Sequence, residues 1–573
     1  TYTPVRPPDL RIDAEALRPK ARMEDPVSPV SESKAGSAPT TTASTPAAAA
    51  SPASTASRSV TKPASPTPVV ATELPTAATA PAAAAASGAM TTAAKPSREA
   101  VAAPPARPAV PTVTPVASPP IAPVAAPVVA PAKPKPAPAP VSRDRLAPYG
   151  DVEGIVTASH RDPFGFLGMH MLHPEEALIV RCFIPEAKAV TLIEASTGDP
   201  LVALERVHED GLFAGSIAAR DEPFAYRLRV ETAAAAIEID DPYRFPPVLS
   251  EDDIRLLAAG DHLTSYDTLG SHVCTSEGVT GVAFAVWAPN AGRVSVVGEF
   301  NNWDGRCHGM RLRHDCGVWE IFLPGLAPGQ MYKYEIKSAS GTRLPDKCDP
   351  YAFLVESRPG AATIICDLDG YRWGDQAWMK ARAAAPARET PLSIYEVHLP
   401  SWRRRPEEGH RPLTYAELAK DLVNYVKYMQ FTHIALLPLA EFDADASLGY
   451  QTFAPFAPSN RWGNPDHLRL LIDRAHQAGI GVILNWVPTQ FTDDPHSLRE
   501  FDGTHLYEPA DSRQHLPGSP LFTYDYGRRE VANYLISNAL YWLDKFHVDA
   551  LHIDGVSRML YLDDGRARGE WQP

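Results

Sequence analysis

The sequence predicts a chain of β and α/β domains in series: two antiparallel β-sandwiches in tandem, then a parallel β/α region, all behind a Pro/Ala-rich tail. Three observations carry this. Between residues 144 and 375, short segments of alternating apolar and polar residues are separated by turn residues at roughly 8–12-residue spacing, the pattern of a sandwich. Those segments occur twice in the same order. From residue 390 the strands become short, nearly continuous apolar runs with amphipathic helical stretches between them, as in a parallel sheet buried on both faces.

The first segment, 1–143, is read as a disordered tail. Residues 1–140 hold 29 of the 59 prolines and one aromatic, Tyr2. Runs such as "APAAAAASGAM" and "PAKPKPAPAPV" bury too little apolar surface to offset the entropy of ordering. A flexible linker is the main reading, and a docking tail for a partner the other.

The two copies follow, at 144–255 and 256–375. The first reads "LIVRCFIPEAKAVTLIEAS", "DGLFAGSI", "FAYRLRV", "DDPYRF"; the second reads "GVAFAVWAPNAGRVSVVGEF", "CGVWEIFL", "YKYEIKS", "CDPYAF". Each runs from alternating strands through a Gly-initiated strand and a Tyr-containing strand to a closing Asp-Pro-Tyr. In the turn "FNNWDG", Trp303 either stacks on a sugar ring through its apolar face or plugs the hairpin core.

The third region, 390–573, shows strands in "LSIYEVHL", "THIALLPL", "GVILNWVP" and "DALHID", with helices in "YAELAKDLVNYVKYM", "PDHLRLLIDRAHQAG" and "RREVANYLISNALYWLDKF". Four strand–helix units suit either an open sheet or half of an eight-fold barrel. In both, chemistry gathers at the carboxyl ends of the strands. Asp554 stands at one such end; Asn485 and Gln490 follow another, and Glu396 and His398 close a third. An Asp so placed is a candidate nucleophile.

Composition narrows the partners. A net charge of −14 argues against nucleic acid or an anionic membrane as the main partner. No apolar run reaches membrane-spanning length and no leader pattern opens the chain, so a cytoplasmic protein is expected, as a monomer. The six cysteines form no CxxC pair and read as free thiols, with no zinc or other metal site. The first residue is Thr and the last five are "GEWQP", which reads as part of a longer chain.

With these segments placed, the chain resembles the glycogen (1,4-alpha-glucan) branching enzymes of the α-amylase superfamily, glycoside hydrolase family 13. "SHRDPFGFLGMH" (159–170) is similar to the entry into that family's first sandwich, and "FAVWAPNAGRVSVVGEFNNWDG" (284–305) to its glucan-binding sandwich. "SIYEVHLPSWRR" (393–404), "FTHIALLPLAEF" (431–442), "FAPSNRWGNPDHLR" (456–469), "HQAGIGVILNWVP" (476–488), "DYGRREVANYLISNALYWL" (525–543) and "MLYLDDGRARGEW" (559–571) continue in register. The resemblance implies the first half of a (β/α)8 catalytic barrel. It also implies an α-glucan substrate such as glycogen or amylose-like chains, and cleavage of an α-1,4 bond with reattachment through an α-1,6 bond. A debranching enzyme or a trehalose-releasing hydrolase shares the sandwich-plus-barrel plan. No metal or organic cofactor is implied, because such transfer proceeds on carboxylates alone.

Retention at the anomeric carbon takes two carboxyls about 5–5.5 Å apart. The resemblance gives Asp554 the nucleophile position; the acid/base Glu and a third acid of the family fall outside these 573 residues. Tyr450 keeps the place of the Tyr that stacks on the sugar, but its Trp neighbour is Leu448. The family's Arg two residues before the nucleophile is His552, and its Asp-x-Val-x-x-His is Asn485 with Gln490. A histidine is only partly charged at neutral pH and lacks the guanidinium fork. Each lost transition-state contact commonly costs about 10²–10³ in rate. The sequence therefore leaves open whether this chain is an active enzyme, with weak or no branching activity expected as it stands. The alternative is a non-catalytic, glucan-binding homologue. A half-barrel region that is poorly stable, beside sandwiches that fold alone, is a further expectation, because an open sheet edge and unpartnered helix faces would remain.

Overall fold

The computed structural model describes residues 141–173, 177–217, 220, 222–384, 391–511, 521–561, 563, 564 and 567. These lie within one contact unit, Ala125–Pro573. The tail expected over 1–140 lies outside the described residues. Order begins slightly before the expected boundary: Val141 already packs with Leu146, Ile179 and Ala214.

Seven antiparallel strands follow helix α1 (Tyr149–Val156): β1 (Gly168–Leu172), β2 (Ala177–Phe183), β3 (Ala189–Glu194), β4 (Pro200–His208), β5 (Leu212–Ile217), β6 (Tyr226–Glu231) and β7 (Ala236–Ile239). Their order is β1-β2-β5-β4-β3-β6-β7. Strand β4 makes the corner. Its first half, to Leu204, pairs with β3, and its second half, from Glu205, pairs with β5. A strand that changes partner midway folds one sheet into two facing layers. Val180 and Cys182 of β2 and Phe213 of β5 then pack with Leu192 of β3 and Tyr226 and Leu228 of β6.

Helix α2 (Glu251–Ala259), with a Ser250/Asp253 capping box, leads into the second sandwich. Its strands are β8 (Gly270–Ser276), β9 (Val279–Trp287), β10 (Ala291–Gly298), β11 (Arg311–Arg313), β12 (Val318–Pro324), β13 (Met331–Ser338) and β14 (Thr363–Ile364). They form two sheets, β11-β12-β9-β8 and β10-β13-β14. Phe284, Val294, Trp319, Ile321 and Tyr334 fill the space between them.

The repeated Asp-Pro-Tyr has one structural meaning in both copies. Asp241 accepts from the Tyr226 hydroxyl (2.6 Å) and the Tyr243 N–H (3.0 Å). Asp349 accepts from the hydroxyls of Tyr332 (2.6 Å) and Tyr334 (2.8 Å) and from the Tyr351 N–H (2.8 Å). A buried carboxylate thus ties the turn to the strand before it. Burial pushes both carboxyls up to about 6, against the pull of those hydrogen bonds. The sign of the consequence follows from linkage. An acid whose pKa is raised on folding contributes stability that is fully present below its unfolded pKa and is lost as pH rises through its folded one. Folding stability should therefore fall from about pH 4 to about pH 7. In Asp349→Asn the fall between pH 5 and pH 7, read by urea denaturation at each pH, should be smaller by about 1 kcal/mol. An unchanged pH slope would count against the buried carboxylate as its source.

The remaining elements are α3 (Gln376–Ala384), β15 (Ile394–Val397), α4 (Tyr415–Tyr428), β16 (His433–Leu436), α5 (Pro465–Gln477), β17 (Gly481–Trp486), α6 (Arg529–Lys545) and β18 (Ala550–Ile553). The four strands form one parallel sheet in chain order. Capping boxes at Thr414/Glu417 and Asn464/His467 start α4 and α5, with Pro465 at the first helical position. These helices bury Leu418, Leu422, Val426, Leu468, Leu471 and Ile472 against the strands. This is an α-amylase-like partial barrel. No described helix is long and apolar enough to cross a membrane.

One expectation needs correcting. The second sandwich and the barrel strands do not have separate cores. Tyr351 and Phe353, from the closing motif, stack into the barrel region. Tyr351 lies 4.6 Å from the Phe456 ring and 5.3 Å from Tyr534, and Phe353 lies 5.5 Å from Tyr541. Ser265 donates to Ser537 (2.9 Å), and the ammonium of Lys347 donates to the carbonyls of Pro495 and Arg499. A stable fragment ending near residue 370 would have to expose these rings. Phe353→Ala should cost about 3–5 kcal/mol. It should also lower the melting of sandwich and barrel as one calorimetric transition, while the first sandwich, with its own core, melts separately. Separate melting of residues 256–375 and the barrel would refute the shared core.

Candidate active site at the carboxyl ends of the parallel strands

The strand ends bring the sequence-predicted residues together around Tyr450. This tyrosine follows a short hairpin arm, Ala440–Phe442 paired with Thr452–Pro458. Its approach is fixed by Gly449 (φ +96°), where a Cβ would lie 2.5 Å from the Pro438 carbonyl oxygen, so only glycine fits. The Tyr450 hydroxyl accepts from Asn485 Nδ2 (3.4 Å) and is hydrogen-bonded to the Asp554 carboxylate. Burial first, then the charges of Asp554 and Glu396, raises the phenol above its ordinary pKa. The Tyr450 backbone carbonyl accepts from Gln490 Nε2 (3.0 Å).

Asn485 and His552 are direct neighbours across β17 and β18. His552 Nδ1 lies 2.9 Å from Asn485 Oδ1. An amide oxygen only accepts, so the imidazole carries its proton on Nδ1. The two positions where the family carries an ion pair thus still form a pair, held by one hydrogen bond. Asn485 and Gln490 are 3% and 8% exposed, whereas His552 is exposed and Asp554 half-buried on the open side of β18. Glu396, at the end of β15, is exposed. His398 turns away to Ser401 (2.8 Å), and burial lowers its pKa.

Trp303 lies elsewhere, on the turn after β10. At 36% exposure it does not plug the hairpin core. Asn302 and Trp303 adopt consecutive left-handed conformations (φ +54° and +58°), which lift the indole out of the sheet.

Two arginines were not foreseen. Arg558, four residues after Asp554, bonds Gln490 Oε1 and pairs with Asp564 (3.2 Å). Its spacing from Asp554 was a usable signal. Arg358, between β14 and the sheet that precedes it in space, sends one guanidinium nitrogen to Asp443 (2.6 Å) and Asp494 (2.7 Å) while lying over the Phe453 ring. It joins the arm that leads to Tyr450 to the segment after Gln490. Nothing in its local sequence pointed there.

Comparison with known proteins agrees with this arrangement. Residues 148–243 match the family model described as alpha-1,4-glucan branching enzyme GlgB, N-terminal domain. Residues 268–352 match Carbohydrate-binding module 48 (Isoamylase N-terminal domain). The 1,4-alpha-glucan branching enzyme GlgB of Rubrobacter xylanophilus is 51% identical over 426 residues, 74% of this chain and 57% of that protein. That of Rhodospirillum rubrum is 49% identical over 427 residues, with the same two shares. That of Paramagnetospirillum magneticum is 50% identical over 432 residues, 75% of this chain and 57% of the relative. The chain therefore spans little more than half the length of these relatives. Over that span it is homologous to the GlgB 1,4-alpha-glucan branching enzymes, through their amino-terminal domain, their carbohydrate-binding module 48 and part of their catalytic region.

Proposed function

We propose that this chain carries the glucan-holding sandwiches and the nucleophile half of a 1,4-alpha-glucan branching enzyme of glycogen biosynthesis. The observation that supports this most is the gathering of Tyr450, Asn485, Gln490, His552 and Asp554 at one end of one parallel sheet. In this reading Asp554 attacks the anomeric carbon of an α-1,4-linked glucan and holds the cleaved piece as a glycosyl ester. A 6-hydroxyl of another chain then displaces the carboxylate, giving the α-1,6 branch with retention. Tyr450 offers a ring face to the sugar and orients the nucleophile through its hydroxyl. The second carboxyl of the reaction, by resemblance, stands at the end of a following strand. The chemistry calls for no metal or organic cofactor. A monomer in the cytoplasm acting on glycogen or amylose-like chains, with no nucleic-acid or membrane partner, completes the reading.

The test is the iodine colour of amylose incubated with the product of the whole reading frame. A fall in absorbance is expected, and amylose left untouched would sink the proposal.

The hydrogen bond between His552 and Asn485, in place of an ion pair, favours a second reading: a glucan-binding homologue without catalysis. Retardation in a glycogen-containing gel together with unchanged amylose would support that reading over the first. A mobility equal to that in a glycogen-free gel would remove it.

A further inference from the structure

Between the two sandwiches lies a cavity of about 700 Å³, the volume of a site for a small ligand. It shares no lining residue with the cluster around Asp554. Its two walls differ. The first sandwich supplies an apolar face that includes Phe183, Ile184, Ile237 and Ile239. The turn after β10 supplies a polar face of Asn301, Asn302, Asp304, Arg306 and His308.

The charges on these walls are already engaged. Asn302 of the second sandwich donates to Glu186 of the first (2.6 Å). Arg306 is spent on Asp304 (2.8 Å), and Asp241 is held by Tyr226 and the Tyr243 N–H. No lining cation is left over to receive a phosphate or a carboxylate. His308 supplies a donor of another kind. Asn301 Nδ2 donates to its Nδ1 (3.0 Å); the amide orientation is fixed because Asn301 Oδ1 accepts from the Gly298 N–H and Nδ2 also donates to the Val296 carbonyl. With Nδ1 an acceptor, the ring proton sits on Nε2, which has no hydrogen-bond partner among the described residues. Burial, which lowers the imidazole to about 4, keeps it neutral. An apolar plane facing neutral amide and imidazole donors suits a ligand with apolar ring faces and a hydroxyl-bearing edge.

We propose that this cavity binds a short, uncharged oligosaccharide of the α-glucan class, gripped by both sandwiches at once. The choice of an α-glucan among neutral oligosaccharides rests on the branching-enzyme reading. The cavity itself extends beyond module 48, because the apolar wall belongs to the amino-terminal sandwich.

The experiment is calorimetric titration of the chain with maltotriose and, separately, with cellotriose. Four proteins are compared: unmodified, Ile237→Arg, His308→Phe and Tyr450→Ala. Ile237 is 48% exposed, so arginine there fills the cavity mouth without entering a core. His308→Phe keeps the ring and removes the donor. Maltotriose should bind the unmodified chain, and each cavity variant should weaken it at least tenfold, with Tyr450→Ala retaining that binding. Cavity variants that bind as the unmodified chain does, with only Tyr450→Ala weakened, would overturn the cavity site and leave the branching-enzyme reading standing. Cavity-dependent binding of cellotriose and none of maltotriose would overturn the α-glucan assignment and count against that reading as well. No binding of either sugar would overturn the proposal, while the amylose assay would still decide the catalytic reading.

Discussion

Asp554→Asn is expected to abolish branching in the product of the whole reading frame, by at least about 10³-fold, while leaving glycogen binding intact. The amide is nearly isosteric and still accepts the Tyr450 hydroxyl hydrogen bond, so the loop around the residue should not move. What it removes is the electron pair that forms the glycosyl ester. No described neighbour can replace it: Asn485 and Gln490 are amides, and Glu396 stands at the far end of the sheet, on β15. The readout pairs iodine absorbance for the reaction with gel retardation for binding. Loss of colour change with retained retardation fits a nucleophile. Equal branching by the variant would remove Asp554 from that role, whatever the family does.

Much of this site was legible in the sequence for a local reason. Strand ends are marked by the change from apolar run to turn, and a carboxylate at that mark is visible without tertiary information. Asn485 and His552 could be read as opposing positions because each sits at the same height of a neighbouring strand, and the parallel register confirms the match. The tandem sandwiches were visible because β-alternation is local and the Asp-Pro-Tyr turn recurs.

The parts that were missed are those set by distant partners. Nothing in "PLVALERVH" announces that β4 pairs with β3 through Leu204 and with β5 from Glu205, since alternation reports which face is buried and not against what. The rings of Tyr351 and Phe353 read as the end of a sandwich. They pack on Phe456, Tyr534 and Tyr541, more than a hundred residues later, so a boundary in sequence is not a boundary in the core. Arg358 is a lone cation in a loop with no periodicity to place it. Its two carboxylate partners lie 85 and 136 residues away. The cavity between the sandwiches is a property of how two domains meet, to which no single motif corresponds.

The second large effect concerns the pair that replaced the family's ion pair. His552→Arg and Asn485→Asp together are expected to raise the branching rate by about 10²-fold or more, beyond the product of the single changes. Each single change is incomplete for a physical reason. An Arg facing Asn485 gains a fixed charge, but an amide oxygen anchors it by one neutral acceptor. An Asp facing His552 places a second carboxylate near Asp554, with a partner that is only partly charged at neutral pH, so part of the effect is like-charge repulsion. Only the double variant supplies a bidentate guanidinium–carboxylate pair across β17 and β18, where the two side chains already meet at 2.9 Å. That pair would hold a permanent positive charge two residues from the nucleophile, where it favours the ionised carboxylate that attacks. The four rates form a double-mutant cycle, and a coupling above about 1 kcal/mol is expected. Single effects that simply multiply would mean the pair does not act on the nucleophile as a unit. A double variant as slow as the unmodified protein, with glycogen retardation retained, would move the balance to the glucan-binding homologue.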